Sequence, residues 1–169
     1  KRGLAMEEKI FDAMGHHYIA EASGYDPEII GNVAKVQQIL VKAAEIAGAT
    51  VWAVSFNKLP PSGVSGVVVI SESHISTHTW PEYKYGALDF YTCGDTVDPE
   101  KGLFYAIEAF GATSSHITEI TRGLHEEDNV YFHSFITWEE EFNKNRRNLK
   151  MHKDHNGSDM EGLQNNLKD

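Results

Sequence analysis

The chain has 169 residues, enough for one domain with a sizeable core, and its 41% hydrophobic and 11% aromatic content is that of an ordinary soluble globular protein. A net charge of -10 and the lack of a long basic run argue against a nucleic-acid surface, and the longest apolar run, Val67 to Ile70, is far too short to span a membrane. No charged start leads into an apolar stretch, so no secretion signal is expected, and a single cysteine excludes an internal disulfide and fits a reducing, cytoplasmic setting.

In chain order, residues 1–14 are charged and read as an N-terminal arm before one domain spanning 15–130. Residues 17–22 alternate loosely as a first strand, closed by a turn at Ser23-Gly24-Tyr25-Asp26-Pro27. Val33, Val36, Leu40, Ala43 and Ala47 follow helical spacing, with Gly48 as a C-terminal stop. Residues 50–56 are β-branched and aromatic, hence a strand, and Pro60-Pro61-Ser62-Gly63 breaks the chain before a second strand at 64–70. Two further strands, 74–80 and 85–92, flank Pro81-Glu82-Tyr83-Lys84. Asp98-Pro99-Glu100 combines a cap, a first-turn proline and an acid, which starts a helix whose buried face is Leu103, Ala106, Ile107 and Phe110 and which Gly111 ends. Residues 116–121 alternate as the last core strand.

That order predicts an α+β fold, a two-layer sandwich of a mainly antiparallel sheet with helices on one face. Residues 131–169 form a C-terminal extension. Within it 138–149 is charged and could be helical, with Phe135, Trp138 and Phe142 as a docking face, and the Trp138-Glu139-Glu140-Glu141 run reads as a solvated surface. The polar, Gly- and Asn-bearing stretch 150–169 is expected to be disordered.

The stretch from Ser71 to Glu82 concentrates the reactive groups: two serines besides Ser76, His74 and His78, Glu72 and Glu82, and Trp80, between two apolar strands. Read residue by residue, each has an ordinary alternative. Ser73 is a strand serine. Cys93 is a small buried filler. His74 and His78, at i and i+4 on one strand face, could bind zinc with Cys93 as third ligand, as in a zinc-dependent hydrolase. His16 and His17 read as surface or dimer-edge groups.

The ordered block changes those odds. Gly63-Val64-Ser65-Gly66-Val67-Val68-Val69-Ile70-Ser71-Glu72-Ser73-His74, then His78-Thr79-Trp80-Pro81-Glu82-Tyr83, then Thr92-Cys93-Gly94-Asp95 resembles the short prokaryotic-type S-adenosylmethionine decarboxylases, over roughly 15–123. The resemblance implies a self-cleaving enzyme whose cofactor is a covalent pyruvoyl group made from Ser73. The Ser73 hydroxyl attacks the Glu72 carbonyl, turning the peptide link into an ester. Loss of the Ser73 α-proton expels the Glu72 carboxylate, and the dehydroalanine that remains takes up water and loses ammonia to leave the ketone. By resemblance Ser65 assists processing, His78 removes the α-proton, and Cys93 protonates the substrate carbon after carbon dioxide leaves. Imidazole and thiol suit those tasks, since both can exchange a proton near working pH. The pyruvoyl ketone forms a Schiff base with the substrate amine and takes up the carbanion charge, the role pyridoxal phosphate plays elsewhere; no Gly-rich phosphate loop with a nearby lysine stands out here.

Ile75, Trp80 and Glu82 fall where the family lines its substrate pocket, and Phe56 suits an adenine. Leu59 stands where the family's Phe is expected, and loss of that ring would weaken adenine binding by roughly 1 kcal/mol. Relatives acting on arginine or ornithine use the same processing machinery, so those amino acids remain alternative substrates, and a processing-dead regulatory homologue remains an alternative function. The family implies a homodimer of cleaved protomers with a shared active site, feeding spermidine and polyamine synthesis. Ser73 and His78, five positions apart, would face opposite sides of an ideal strand, so a bend or bulge is expected to bring them together.

Overall fold

The computed structural model describes residues 13–126 and 131–143. Its elements, in order, are β1 (Gly15–Ser23), α1 (Pro27–Ile30), α2 (Val33–Ala47), β2 (Val51–Leu59), β3 (Gly63–Ile70), β4 (Ser73–Trp80), a 3-10 turn (Pro81–Tyr83), β5 (Tyr85–Cys93), α3 (Pro99–Ala109), β6 (Ser114–Glu126) and β7 (Tyr131–Asn143). The strands form one seven-stranded sheet in the order β2-β3-β4-β5-β1-β6-β7, with every neighbouring pair antiparallel.

The helices start and stop where local chemistry dictates. The Asn32 side chain accepts from the Lys35 amide at 3.1 Å to cap α2, and Gly48 ends it in the left-handed conformation at φ 81°. Asp98 caps α3 through the Lys101 amide at 3.2 Å, with Pro99 in the first turn. Val36, Leu40, Ala43 and Ala44 of α2 and Leu103, Ala106 and Ile107 of α3 are buried against Val64, Val68, Ile70, Ile75, Leu88, Phe90 and Ile117 of the sheet. This is the two-layer α+β sandwich expected, with its single core between the helices and one sheet face. At roughly 1.5–3 kcal/mol per fully buried large aliphatic side chain, that layer dominates the driving force for folding.

The strict alternation of the strands gives the second sheet face a different character. In β4, Ile75, Thr77 and Thr79 point to the core while His74, Ser76, His78 and Trp80 do not; in β5, Leu88, Phe90 and Thr92 are buried while Asp89 and Tyr91 are only partly so. No helix of the described residues covers this second face.

Two expectations are corrected. Residues 131–143 are a strand, where the charge pattern of 138–149 allows a helix; positions 144–149, the tail 150–169 and the arm through residue 12 lie outside the described residues. The aromatic and β-branched residues of 131–138 favour an extended chain, and the Glu139–Glu141 run fits an edge strand, where charges deter pairing with other chains. The strand expected at 116–121 runs from Ser114 to Glu126 and is not the last, because register shifts and Gly123, at φ 73°, let it bend and continue beside β7.

Candidate active site

The corner between β3 and β4 is tied down on every side. Ile70 pairs with Ser73, leaving Ser71 and Glu72 as a two-residue tip. The Ser71 amide donates to the Thr50 carbonyl at 2.9 Å, and the Thr50 amide donates to the Glu72 carboxylate at 3.2 Å. The Glu72 carbonyl oxygen accepts from the Cys93 amide at 2.9 Å. Ser73 follows with φ 151°, a region that costs a non-glycine residue about 1–3 kcal/mol. Its hydroxyl lies 3.1 Å from Nδ1 of His74. A strained Ser73 backbone, a hydrogen-bonded Glu72 carbonyl and a hydroxyl beside an imidazole therefore coincide at Glu72-Ser73. Hydrogen bonds from Ser71 and from the Glu72 and Thr50 amides outweigh burial and hold the Glu72 carboxyl below the usual carboxylate range.

Ser65 and His78 occupy the far end of the same two strands, directly opposite one another in register. The pairing of β4 with β3 and β5 runs without a shift from Ser73 to His78. The bend or bulge expected between those two residues is thus absent, and the strand keeps them five positions apart. The i, i+4 spacing of His74 and His78 likewise corresponds to roughly 13 Å on a strand, too far to share one ion. Among the described residues no three His, Cys, Asp or Glu side chains gather as a metal site.

The remaining residues named from sequence scatter around this frame. Trp80 stacks on its cross-strand neighbour Tyr85 with ring centroids 5.2 Å apart, and the His78 ring lies 6.2 Å from it, tilted by 40°. Glu82, exposed in the 3-10 turn, accepts from the Ser62 hydroxyl at 2.7 Å, which keeps its pKa below the usual range. Leu59 ends β2 opposite Gly63 and is half-buried. Ile75 is in the core at 1% exposure, under the helices. Phe56 packs against the core with its ring over Gly66, where any Cβ would come within 2.0 Å of it. Cys93 is exposed at the end of β5 beside the β3–β4 corner.

The structure adds a cluster that sequence reasoning passed over. His17, His74 and Tyr91 come together from β1, β4 and β5: His17 lies 5.5 Å from Tyr91 and 6.5 Å from His74, and His74 lies 5.9 Å from Tyr91, ring centre to ring centre. The Arg122 guanidinium sits 4.3 Å above the Tyr91 ring and 3.4 Å from His17 Nδ1. Asp89 accepts from His17 at 3.3 Å and from the Ser76 hydroxyl at 3.3 Å, and the His17 bond chiefly holds its carboxyl below the usual range. Burial first, then the charges of His17 and Arg122, push His74 below the ordinary histidine pKa of 6.5 against the opposing pull of Asp89. Alternation within 15–23 and 85–93 put His17, Asp89 and Tyr91 on one face each; only the strand order puts them side by side.

Comparison with known proteins follows the same outline. Residues 16–123, more than half of the chain, match the family model described as S-adenosylmethionine decarboxylase. A protein of Pyrococcus horikoshii named S-adenosylmethionine decarboxylase proenzyme is 51% identical over 139 residues, covering 82% of this chain and 99% of that relative. One of the same name from Moorella thermoacetica is 51% identical over 112 residues, 66% of this chain and 90% of its own. A crystal structure of the adenosylmethionine decarboxylase from Aquifex aeolicus superposes with a TM-score of 0.64 at 32% identity, over 69% of this chain and 97% of that one. With the family model matching residues 16–123 and relatives about half identical over most of the chain, the chain belongs to the S-adenosylmethionine decarboxylase family, in its short archaeal and bacterial form.

Proposed function

We propose that the chain cleaves itself between Glu72 and Ser73 and then decarboxylates S-adenosylmethionine, using a pyruvoyl group formed from Ser73, to supply aminopropyl donors for spermidine synthesis. The observation that carries this reading is the corner itself, where the Cys93 amide holds the Glu72 carbonyl oxygen at 2.9 Å and Ser73 has φ 151°. That amide is placed to stabilise negative charge as it develops on the oxygen during attack by the Ser73 hydroxyl. Relief of the strained Ser73 backbone on cleavage favours the same direction. The corner thus fits a pyruvoyl precursor. Once formed, the pyruvoyl group supplies the electron sink that decarboxylation of an α-amino acid requires.

The other residues take roles their positions allow. Cys93, exposed beside residue 73, is the proton donor to the decarboxylated carbon. The stacked Trp80–Tyr85 pair offers a flat apolar face to adenine, and the Glu82 carboxylate offers charge to a cationic substrate. Ser65 and His78 act in processing, His78 as the base that removes the Ser73 α-proton. Because the strand holds them far from their own Ser73, they serve Ser73 of the partner subunit in a homodimer, built on the sheet face that carries no helix among the described residues. No helix of the described residues is long and apolar enough to cross a membrane, and a lone free thiol suits the reducing cytoplasm.

The test is carbon dioxide release from carboxyl-labelled substrates. Label released from S-adenosylmethionine, with arginine and ornithine left intact, supports the reading; release from either of the other two amino acids in its place overturns the substrate assignment.

A further inference from the structure

We propose that His74 is a catalytic residue of self-cleavage, the base that takes the Ser73 hydroxyl proton as that oxygen attacks the Glu72 carbonyl carbon. The proposal rests on the self-processing reading above and assigns a separate step within it from the role of His78. His78 sits five strand positions from Ser73 in unbroken register, roughly 16 Å along the strand, and cannot reach that hydroxyl within one chain. His74 Nδ1 is 3.1 Å from it already.

The surroundings of His74 suit a neutral base. On its own strand it faces Ser73; from β1 it faces His17, from β5 Tyr91 and Asp89, from β6 Arg122, and from β3 the apolar Val69 is its register partner. Two of those neighbours are cationic or can become so, and burial adds to their effect, so the imidazole resists protonation more than a free histidine does. Only the neutral ring, with its proton on Nε2, leaves Nδ1 open to accept.

The step balances within the chain. His74 Nδ1 gains the Oγ proton while Oγ forms a bond to the Glu72 carbonyl carbon, and the carbonyl electron pair moves onto the oxygen that the Cys93 amide holds. Collapse restores the carbonyl and breaks the Glu72–Ser73 C–N bond. The imidazolium returns its proton to the departing Ser73 nitrogen, leaving an ester and a free amine. His78 is needed only afterwards, to remove the α-proton.

Hydroxylamine, which cuts esters and spares amides, separates the two steps. The experiment follows freshly made full-length chain by denaturing mass spectrometry, with and without hydroxylamine, for wild type, His74→Ala and His78→Ala. The expected result is that His78→Ala is cut at Glu72 only when hydroxylamine is added, because its ester forms and accumulates. His74→Ala stays intact either way, its cleavage slowed by about 10²-fold or more, and added imidazole restores part of the rate. The wild-type cleavage rate should fall as pH drops through a value below the ordinary histidine range. Three results overturn the proposal: cleavage of His74→Ala at the wild-type rate, a hydroxylamine-sensitive ester accumulating in it, or an intact chain that imidazole does not rescue. Failure of the function itself looks different, since the wild-type chain would then never cleave.

Discussion

Ser73 and His78 lie on one strand with five positions and no bulge between them, which at about 3.3 Å per residue sets them roughly 16 Å apart. A base that must touch the Ser73 α-proton cannot do so from there, so on the proposed reading His78 acts across a dimer. The expected consequence is complementation. Ser73→Ala and His78→Ala chains, each unable to form the mature enzyme alone, should yield cleaved product when co-expressed. The cleaved chains should all carry the His78→Ala substitution, because only those keep the serine. Mass spectrometry of the mixed sample reads this directly, and an absence of cleavage would place His78 in its own subunit's site.

On the proposed reading Cys93 makes two separable contributions, its amide to processing and its thiol to turnover. Cys93→Ala keeps the amide that donates to the Glu72 carbonyl. That variant should therefore cleave normally while its kcat for decarboxylation falls by about 10²–10⁴-fold, the usual contribution of a positioned acid. Intact mass and labelled carbon dioxide release, measured on one preparation, check both halves.

The φ of 151° at Ser73 predicts a stability difference between two uncleavable chains. Glycine adopts that conformation without penalty, whereas alanine does not. Ser73→Gly should be more stable than Ser73→Ala by about 1 kcal/mol, after allowing for the greater unfolded-state entropy of glycine. Urea unfolding of the two precursors measures it.

Much of this was legible in the chain, and the parts that were not share a cause. Local signals located the end of α2 and the start of α3, because Gly48 and Asp98-Pro99 act within a turn of where they stand. The motif block drew attention to Ser73, Cys93 and the Glu72-Ser73 bond, which meet at the β3–β4 corner. What local reading could not supply was register. The separation of Ser65 and His78 from Ser73, the burial of Ile75 and the meeting of His17, Tyr91, Asp89 and Arg122 around His74 all depend on which strands lie side by side. Residues 131–143 misled for a related reason. Their closing run of glutamates suits a helix surface and an edge strand equally, and pairing with β6 decides between them.

Outside the site, His16 gives the fold a pH signature. Its Nδ1 donates to the Glu119 carboxylate at 2.8 Å, and that bond raises its pKa above the ordinary 6.5 despite partial burial. A raised histidine pKa stabilises the fold fully below the unfolded value and loses that contribution as pH rises through the folded one. The Tm of wild type should thus exceed that of His16→Gln most near about pH 5.5, with the gap shrinking by about pH 9.

The central claim is cleavage at Glu72-Ser73, and a denaturing intact-mass spectrum of freshly purified protein tests it most directly. Two fragments are expected, one ending at Glu72 and one starting with a pyruvoyl group in place of Ser73. A single chain of full mass, unchanged after long incubation, would contradict it and leave decarboxylation without its electron sink.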